Sequence, residues 1–149
     1  MHRTPWARLF HVSLGLLVLA GCSSVLAPGG WERVVGVIDT GSAFSPAPIR
    51  LPDEVRKGVP FTATVVTYGS GSCTRADGAD VKTAGLTADI TPYDRERTGN
   101  VICTGDLRPY SRTVTLRFDA AGEALIRVRG RSLRTDGPEQ YETRISVQP

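Results

Sequence analysis

The sequence predicts an all-β fold, an antiparallel sandwich of about seven to nine strands, on three observations. Apolar and polar residues alternate with a period of two over several short runs, the pattern of a strand with one face in a core. Glycine and proline, 16 and 10 in a chain of 149, fall between those runs as turn punctuation. No run of useful length repeats with the 3.6-residue period of an amphipathic helix.

The elements follow in chain order. Val34 to Ile38 supplies enough β-branched residues for a first strand, and Asp39-Thr40-Gly41-Ser42 reads as the turn after it. Phe61 to Tyr68 follows Pro60 and precedes Gly69-Ser70-Gly71, with Phe61, Ala63 and Val65 on one face. Leu86 to Ile90 alternates in the same way. Residues 113 to 131 read as a hairpin: Val114, Leu116 and Phe118 share a face, Asp119-Ala120-Ala121-Gly122 turns, and Ala124, Ile126 and Val128 share a face on the return. Tyr141, Thr143, Ile145 and Val147 close the pattern.

The N-terminus has a different character. Arg3 and Arg8 precede an apolar run from Leu9 to Leu19, shorter than the roughly 20 residues a spanning helix needs, which is the layout of an export signal. The run ends in Leu19-Ala20-Gly21-Cys22, which resembles the lipobox of bacterial lipoproteins. The resemblance implies cleavage before Cys22 and diacylation of its sulfur, with palmitate among the acyl groups. It divides the chain into a lipoprotein signal peptide (1–21), a lipidated flexible tether (22–30) and a β-sandwich domain (31–149). Ser23 after the lipidated cysteine matches the enterobacterial pattern for sorting to the outer membrane, so the implied location is the cell envelope, facing the periplasm or exterior.

Two further inferences depend on that compartment. Removing Arg3 and Arg8 from 18 basic residues leaves them nearly matched to 15 acidic ones, so no bulk charge favours nucleic acid. With Cys22 lipidated, Cys73 and Cys103 remain as a pair in an oxidising compartment and are expected to form a disulfide, stabilising a small domain by about 3 to 4 kcal/mol. Both histidines, His2 and His11, lie in the signal. The exported body therefore offers no Ser-His or Cys-His pair and no usual zinc or facial-triad iron set, and neither a metal nor another cofactor is expected.

The arrangement of the body resembles bacterial immunoglobulin-like domains over roughly residues 33 to 148. The likeness is carried by Pro52, Val55, Gly58, Pro60 and Phe61 before the second strand, and by Phe118, Gly122, Ile126 and Val128 near the end. It implies an immunoglobulin-like antiparallel sandwich. No core tryptophan lies on a middle strand, and Cys73 follows a Gly/Ser turn, so the disulfide is expected to pin a connection at the side or end of the domain.

Carboxylate chemistry is the catalytic option left. Asp39-Thr40-Gly41 resembles the catalytic loop of aspartic proteases, which need two such aspartates sharing a proton; with one motif per chain this requires a homodimer. The retroviral-type proteases also carry an apolar-apolar-Gly loop, to which Val128-Arg129-Gly130 is the nearest match, with Arg129 at a position that should be buried. Turn chemistry accounts for Asp39 more simply.

For binding, Arg117, Arg127, Arg129 and Arg131 alternate with apolar residues and are expected to line one sheet face, with Arg144 beside them. That stripe suits an anionic lipid or glycan, or serves as a solvated face. Asp77-Gly78-Ala79-Asp80 reads as a hairpin turn rather than a calcium loop, and Trp31, Tyr93 and Tyr110 are candidate glycan-stacking groups. The sequence thus points to a non-catalytic binding or structural module held to a membrane by its N-terminal lipid. An accessory role beside another envelope protein and the dimeric protease are the alternatives. Labelled palmitate is expected to enter the wild-type chain and not Cys22→Ser; incorporation unchanged by the substitution refutes the anchor.

Overall fold

Inward-facing β-branched residues recur along nearly every strand of the chain, and the architecture follows from where they meet. The computed structural model describes residues 29–41 and 46–149; Cys22 and the signal lie outside them. The described residues form ten strands. They are β1 (Trp31–Val35), β2 (Val37–Ile38), β3 (Ile49–Arg50), β4 (Val55–Arg56), β5 (Phe61–Ser70), β6 (Thr74–Ala84), β7 (Thr87–Arg97), β8 (Leu107–Leu116), β9 (Gly122–Ser132) and β10 (Pro138–Gln148). The fold is all-β, and five of its six long strands, β5 and β7 to β10, carry the alternation seen in the sequence.

All ten strands belong to one hydrogen-bonded sheet that curls around a single core. One wall is β3-β5-β8, the other β6-β7-β9-β10, with β1 beside β7 and β4 beside the end of β10. The two-residue β2 joins the walls, pairing Val37 with Tyr68 of β5 and with Arg131 of β9. Between them pack Ala63, Val65, Val114 and Leu116 from one wall and Ile90, Ala124, Ile126 and Val128 from the other, all buried.

The sheet is mixed rather than purely antiparallel: β7–β9, β2–β9 and β4–β10 run parallel. The expected hairpin over 113–131 is where the chain departs. β8 pairs with β5, whereas β9 pairs with β7 and β10, so residues 117–121 cross from wall to wall. Phe118 explains the crossing. It extends the inward face of β8, is fully buried, and lies against Phe61 with ring centroids 5.9 Å apart. A tight turn at Asp119 would leave that ring without its pocket.

A second departure concerns Asp77-Gly78-Ala79-Asp80, which lies inside β6 as a bulge, the register against β7 shifting between Ala76 and Ala79. Gly78 accepts φ 86° there at no Cβ cost. The true turn of that hairpin is Gly85-Leu86. Between the walls, near Gly36, lies a buried ion pair: Arg112 Nη2 to Asp94 Oδ1 at 2.5 Å, with side chains 6% and 1% exposed. Thr67 Oγ1 donates to Asp94 at 3.0 Å, and Arg112 also donates to Thr67 and to the carbonyls of Tyr93 and Gly78. A Cβ at Gly36 would sit 2.5 Å from Thr67 Cγ2, so only glycine lets the β1–β2 backbone pass. Replacing Arg112 by Met strands a buried carboxylate and is expected to cost about 3–5 kcal/mol in chemical denaturation.

Candidate anion-binding face

Registration of β1 and β6 on either side of β7 produces a charge arrangement that periodicity alone does not display. Arg33 of β1 lies opposite Arg95 of β7, and Arg95 lies opposite Arg75 of β6. Three guanidinium-bearing residues therefore stand side by side on one outward face. Like charges directly opposite are unfavourable in a sheet. Asp77 relieves part of this, accepting from Arg33 Nε at 3.1 Å and Arg95 Nε at 2.8 Å, while Asp80 lies 3.5 Å from Arg33. The bulge at Gly78 brings both carboxylates within reach.

Trp31 and Arg97 are register partners on the same face. The guanidinium carbons of Arg75 and Arg97 lie 4.2 and 5.4 Å from the Trp31 ring, and that of Arg33 lies 3.5 Å over Tyr93. Among the described residues no carboxylate lies within ion-pairing distance of Arg75 or Arg97. Four exposed arginines thus share two aspartates and two aromatic platforms, leaving an excess of positive charge with its hydrogen-bond donors open to solvent.

Of the predicted stripe, Arg127, Arg129 and Arg131 lie together on β9 and Arg117 does not. Arg117 follows β8 on the other wall and pairs with Asp119 at 2.9 Å, so it does not join the β9 arginines. Arg127 pairs with Glu142 at 3.1 Å, Arg129 with Asp89 at 2.9 Å, and Arg131 with Glu96 and with Asp136 at 3.0 Å. Arg144 lies 3.4 Å from Glu123. These cations are met by carboxylates on neighbouring strands, which leaves less of their charge for a ligand. Trp31 and Tyr93, singled out as stacking groups, belong to the arginine-rich face; Tyr110 instead donates its hydroxyl to the Ser70 carbonyl at 2.8 Å.

Asp39 is buried, and its Oδ1 accepts the Gly41 N–H at 3.1 Å, the bond expected of a turn aspartate. Glu139 of β10 is close by. Hydrogen bonds from Ser132 and Thr40 hold its carboxyl below the ordinary value, against an opposing push from Asp39. Val128-Arg129-Gly130 lies within β9 rather than in a loop, with Arg129 exposed. Among the described residues no cluster of three or more potential metal ligands occurs.

Cys73 and Cys103 are bonded, with Cα atoms 5.5 Å apart. Cys73 ends the β5–β6 turn and Cys103 lies in the 98–106 connection, so the bond ties two wall-to-wall crossings at one end of the domain. Ser70 Oγ donates to the Thr104 carbonyl at 2.9 Å, and Thr104 N–H to Ser72 Oγ at 2.9 Å. Beside the bond is an open cleft of about 380 Å³, whose lining includes Tyr68, Arg97, Arg131, Leu133 and Asp106. Arg97 belongs both to this cleft and to the arginine face. No family model, curated protein or solved structure matches the chain.

Hydrogen bonds from Thr104 and Arg108 lower the Asp106 carboxyl to about 2. Its contribution to holding the 98–106 connection is therefore complete above the unfolded value near 3.8 and is lost as pH falls through about 2. Asp106→Asn is expected to melt below wild type at neutral pH, with the gap closing between about pH 4 and pH 2 in thermal denaturation.

Proposed function

We propose that this protein is a lipid-anchored component of the cell envelope whose β domain binds anionic groups, phosphate or carboxylate of lipid headgroups or envelope glycans, without catalysis. The observation that carries the reading is the three-strand register Arg75, Arg95, Arg33 beside an arginine-flanked Trp31. Folding alone gains nothing from aligning like charges, whereas an anion bridging several guanidinium groups at once gains charge-assisted, bidentate contacts.

Position supports the same conclusion. Trp31 opens β1 nine positions after Cys22, a reach of at most about 30 Å when extended, so a lipid on Cys22 keeps this face close to its membrane. A polybasic patch beside a lipid anchor adds roughly 1 kcal/mol per guanidinium near an anionic surface. The bond between Cys73 and Cys103 agrees with an oxidising exterior.

Arg75→Ser with Arg97→Ser removes two cations that hold no carboxylate partner among the described residues. The pair is expected to weaken binding to phosphatidylglycerol vesicles or lipopolysaccharide by roughly ten- to thirtyfold at low salt, with a thermal midpoint close to wild type. Replacing Arg127 and Arg129 instead is expected to weaken binding less. Equal binding by wild type and the Arg75/Arg97 variant, or equal binding to neutral and anionic vesicles, refutes the assignment.

A further inference from the structure

Where a sheet ends, its outermost strand presents unpaired N–H and C=O groups, and soluble proteins blunt such edges or use them. The edge of β6 is covered: it runs beside β8, and Arg112 Nη1 donates to the Gly78 carbonyl at 3.1 Å across the gap. β10 differs. It pairs with β9 from Pro138 to Val147 without a bulge, and among the described residues its other side meets only β4, at Val147 and Gln148. From residue 139 to 146 no described residue pairs with that side.

The backbone orientation along this edge can be read from one bond. The Gln148 carbonyl accepts Lys57 N–H at 2.9 Å, on the β4 side, so Gln148 and its even-numbered neighbours Ser146, Arg144, Glu142 and Gln140 direct their backbone groups outward. Pro138, which has no N–H, falls in the same set, where a ladder bond to β9 is not needed. The same even positions carry side chains on the solvent face, while Tyr141 and Ile145 pack against the core.

We propose that this edge pairs antiparallel with the β10 edge of a second copy about a two-fold axis at Thr143, making the protein a homodimer with a sheet continuous across both subunits. The edge is complementary to itself in that register. Glu142 falls opposite Arg144 of the second copy, and Arg144 opposite its Glu142, both at positions whose backbone groups point outward and exchange hydrogen bonds. Tyr141 falls opposite Ile145 of the second copy on the inner face, an aromatic–β-branched pair.

Charge also selects the register. The neighbouring registers that keep the backbone groups facing set Glu142 against Glu142, or Arg144 against Arg144, and like charges directly opposite are disfavoured. β4 closes the edge at Val147, which confines the seam to residues 140 to 146. So short a seam makes a modest, reversible dimer. Arg33, Arg75, Arg95 and Arg97 lie away from it, on β1, β6 and β7, so the dimer does not depend on anion binding.

A covalent trap suits such a seam. In the proposed register Thr143 faces Thr143 of the second copy as a non-hydrogen-bonded pair, with Cα atoms about 4.5 Å apart, within the span a disulfide bridges. Full-length Thr143→Cys is expected to form a covalent dimer under mild oxidation, seen on a non-reducing gel, while Ser111→Cys on exposed β8 remains monomeric. Adding Arg144→Glu is expected to reduce the covalent dimer about tenfold, and adding Glu142→Arg as well is expected to restore it.

Sedimentation of the chain without introduced thiols reads the same equilibrium independently: wild type and the Glu142→Arg/Arg144→Glu swap associate at high concentration, and Arg144→Glu alone does not. A Thr143→Cys cross-link no stronger than that of Ser111→Cys, one indifferent to Arg144→Glu, or a wild type that sediments as a monomer throughout overturns the proposal. Should Thr143→Cys fail to fold, the sedimentation series decides alone.

Discussion

Asp94 and Arg112 meet where the two walls of the sheet would otherwise part. β7 and β8 are not paired with each other, yet Arg112 reaches from β8 to the Asp94 carboxylate and to the carbonyls of Tyr93 on β7 and Gly78 on β6. Thr67 of β5 completes the group, and Gly36 packs over it without a side chain. Desolvating a carboxylate and a guanidinium is costly, and a pair of this kind adds little net stability over apolar packing. Its contribution is geometric. A guanidinium carries its donors in a fixed plane, and here those on the two terminal nitrogens of Arg112 specify how β6, β7 and β8 lie across the gap that backbone hydrogen bonds do not span.

The position of β7 ties that interior group to the exterior one. Successive residues of a strand face opposite sides, so Asp94 points into the pair with Arg112 while Tyr93 and Arg95 point to the arginine-rich surface. Fixing the register of β6 and β1 against β7 fixes both sides at once. The bulge at Gly78 has a similar double effect, placing its carbonyl at Arg112 on one side and Asp77 between Arg33 and Arg95 on the other. A one-residue slip of β6 would withdraw the Gly78 carbonyl from Arg112 and disperse the surface cations together.

The disulfide end of the domain obeys a related constraint. Two chain crossings between the walls, 71–73 and 98–106, have no ladder to hold them, and the Cys73–Cys103 bond with the Ser70, Ser72 and Thr104 hydrogen bonds substitutes for one. At the other margin of the sheet, β10 has no such cover among the described residues from 139 to 146, and Glu142 and Arg144 set opposite charges along that edge.

Much of the fold was legible in the residues. Period-two alternation marked Phe61 to Tyr68, the inward faces of Val114, Leu116 and Phe118 and of Ala124, Ile126 and Val128, and the last strand, because burial on one face is a local property of a strand. The expected pairing of Cys73 with Cys103 is the bond observed. The partner of each strand was not legible. Asp119 to Gly122 has turn composition whether the chain folds back or crosses over, and only the burial of Phe118 against Phe61 decides for crossing. Asp77-Gly78-Ala79-Asp80 has hairpin composition yet sits as a bulge, with Asp77 paired to Arg33 and Arg95 and Asp80 to Arg33 on other strands. The arginine face escaped for the same reason: Arg33, Arg75 and Arg95 are scattered along the chain, and none is remarkable alone. The sequence by itself determined which side chains face inward, since that depends on neighbours two residues away. Tertiary structure alone decided which charges stand together, since cross-strand register is set by contacts between segments tens of residues apart.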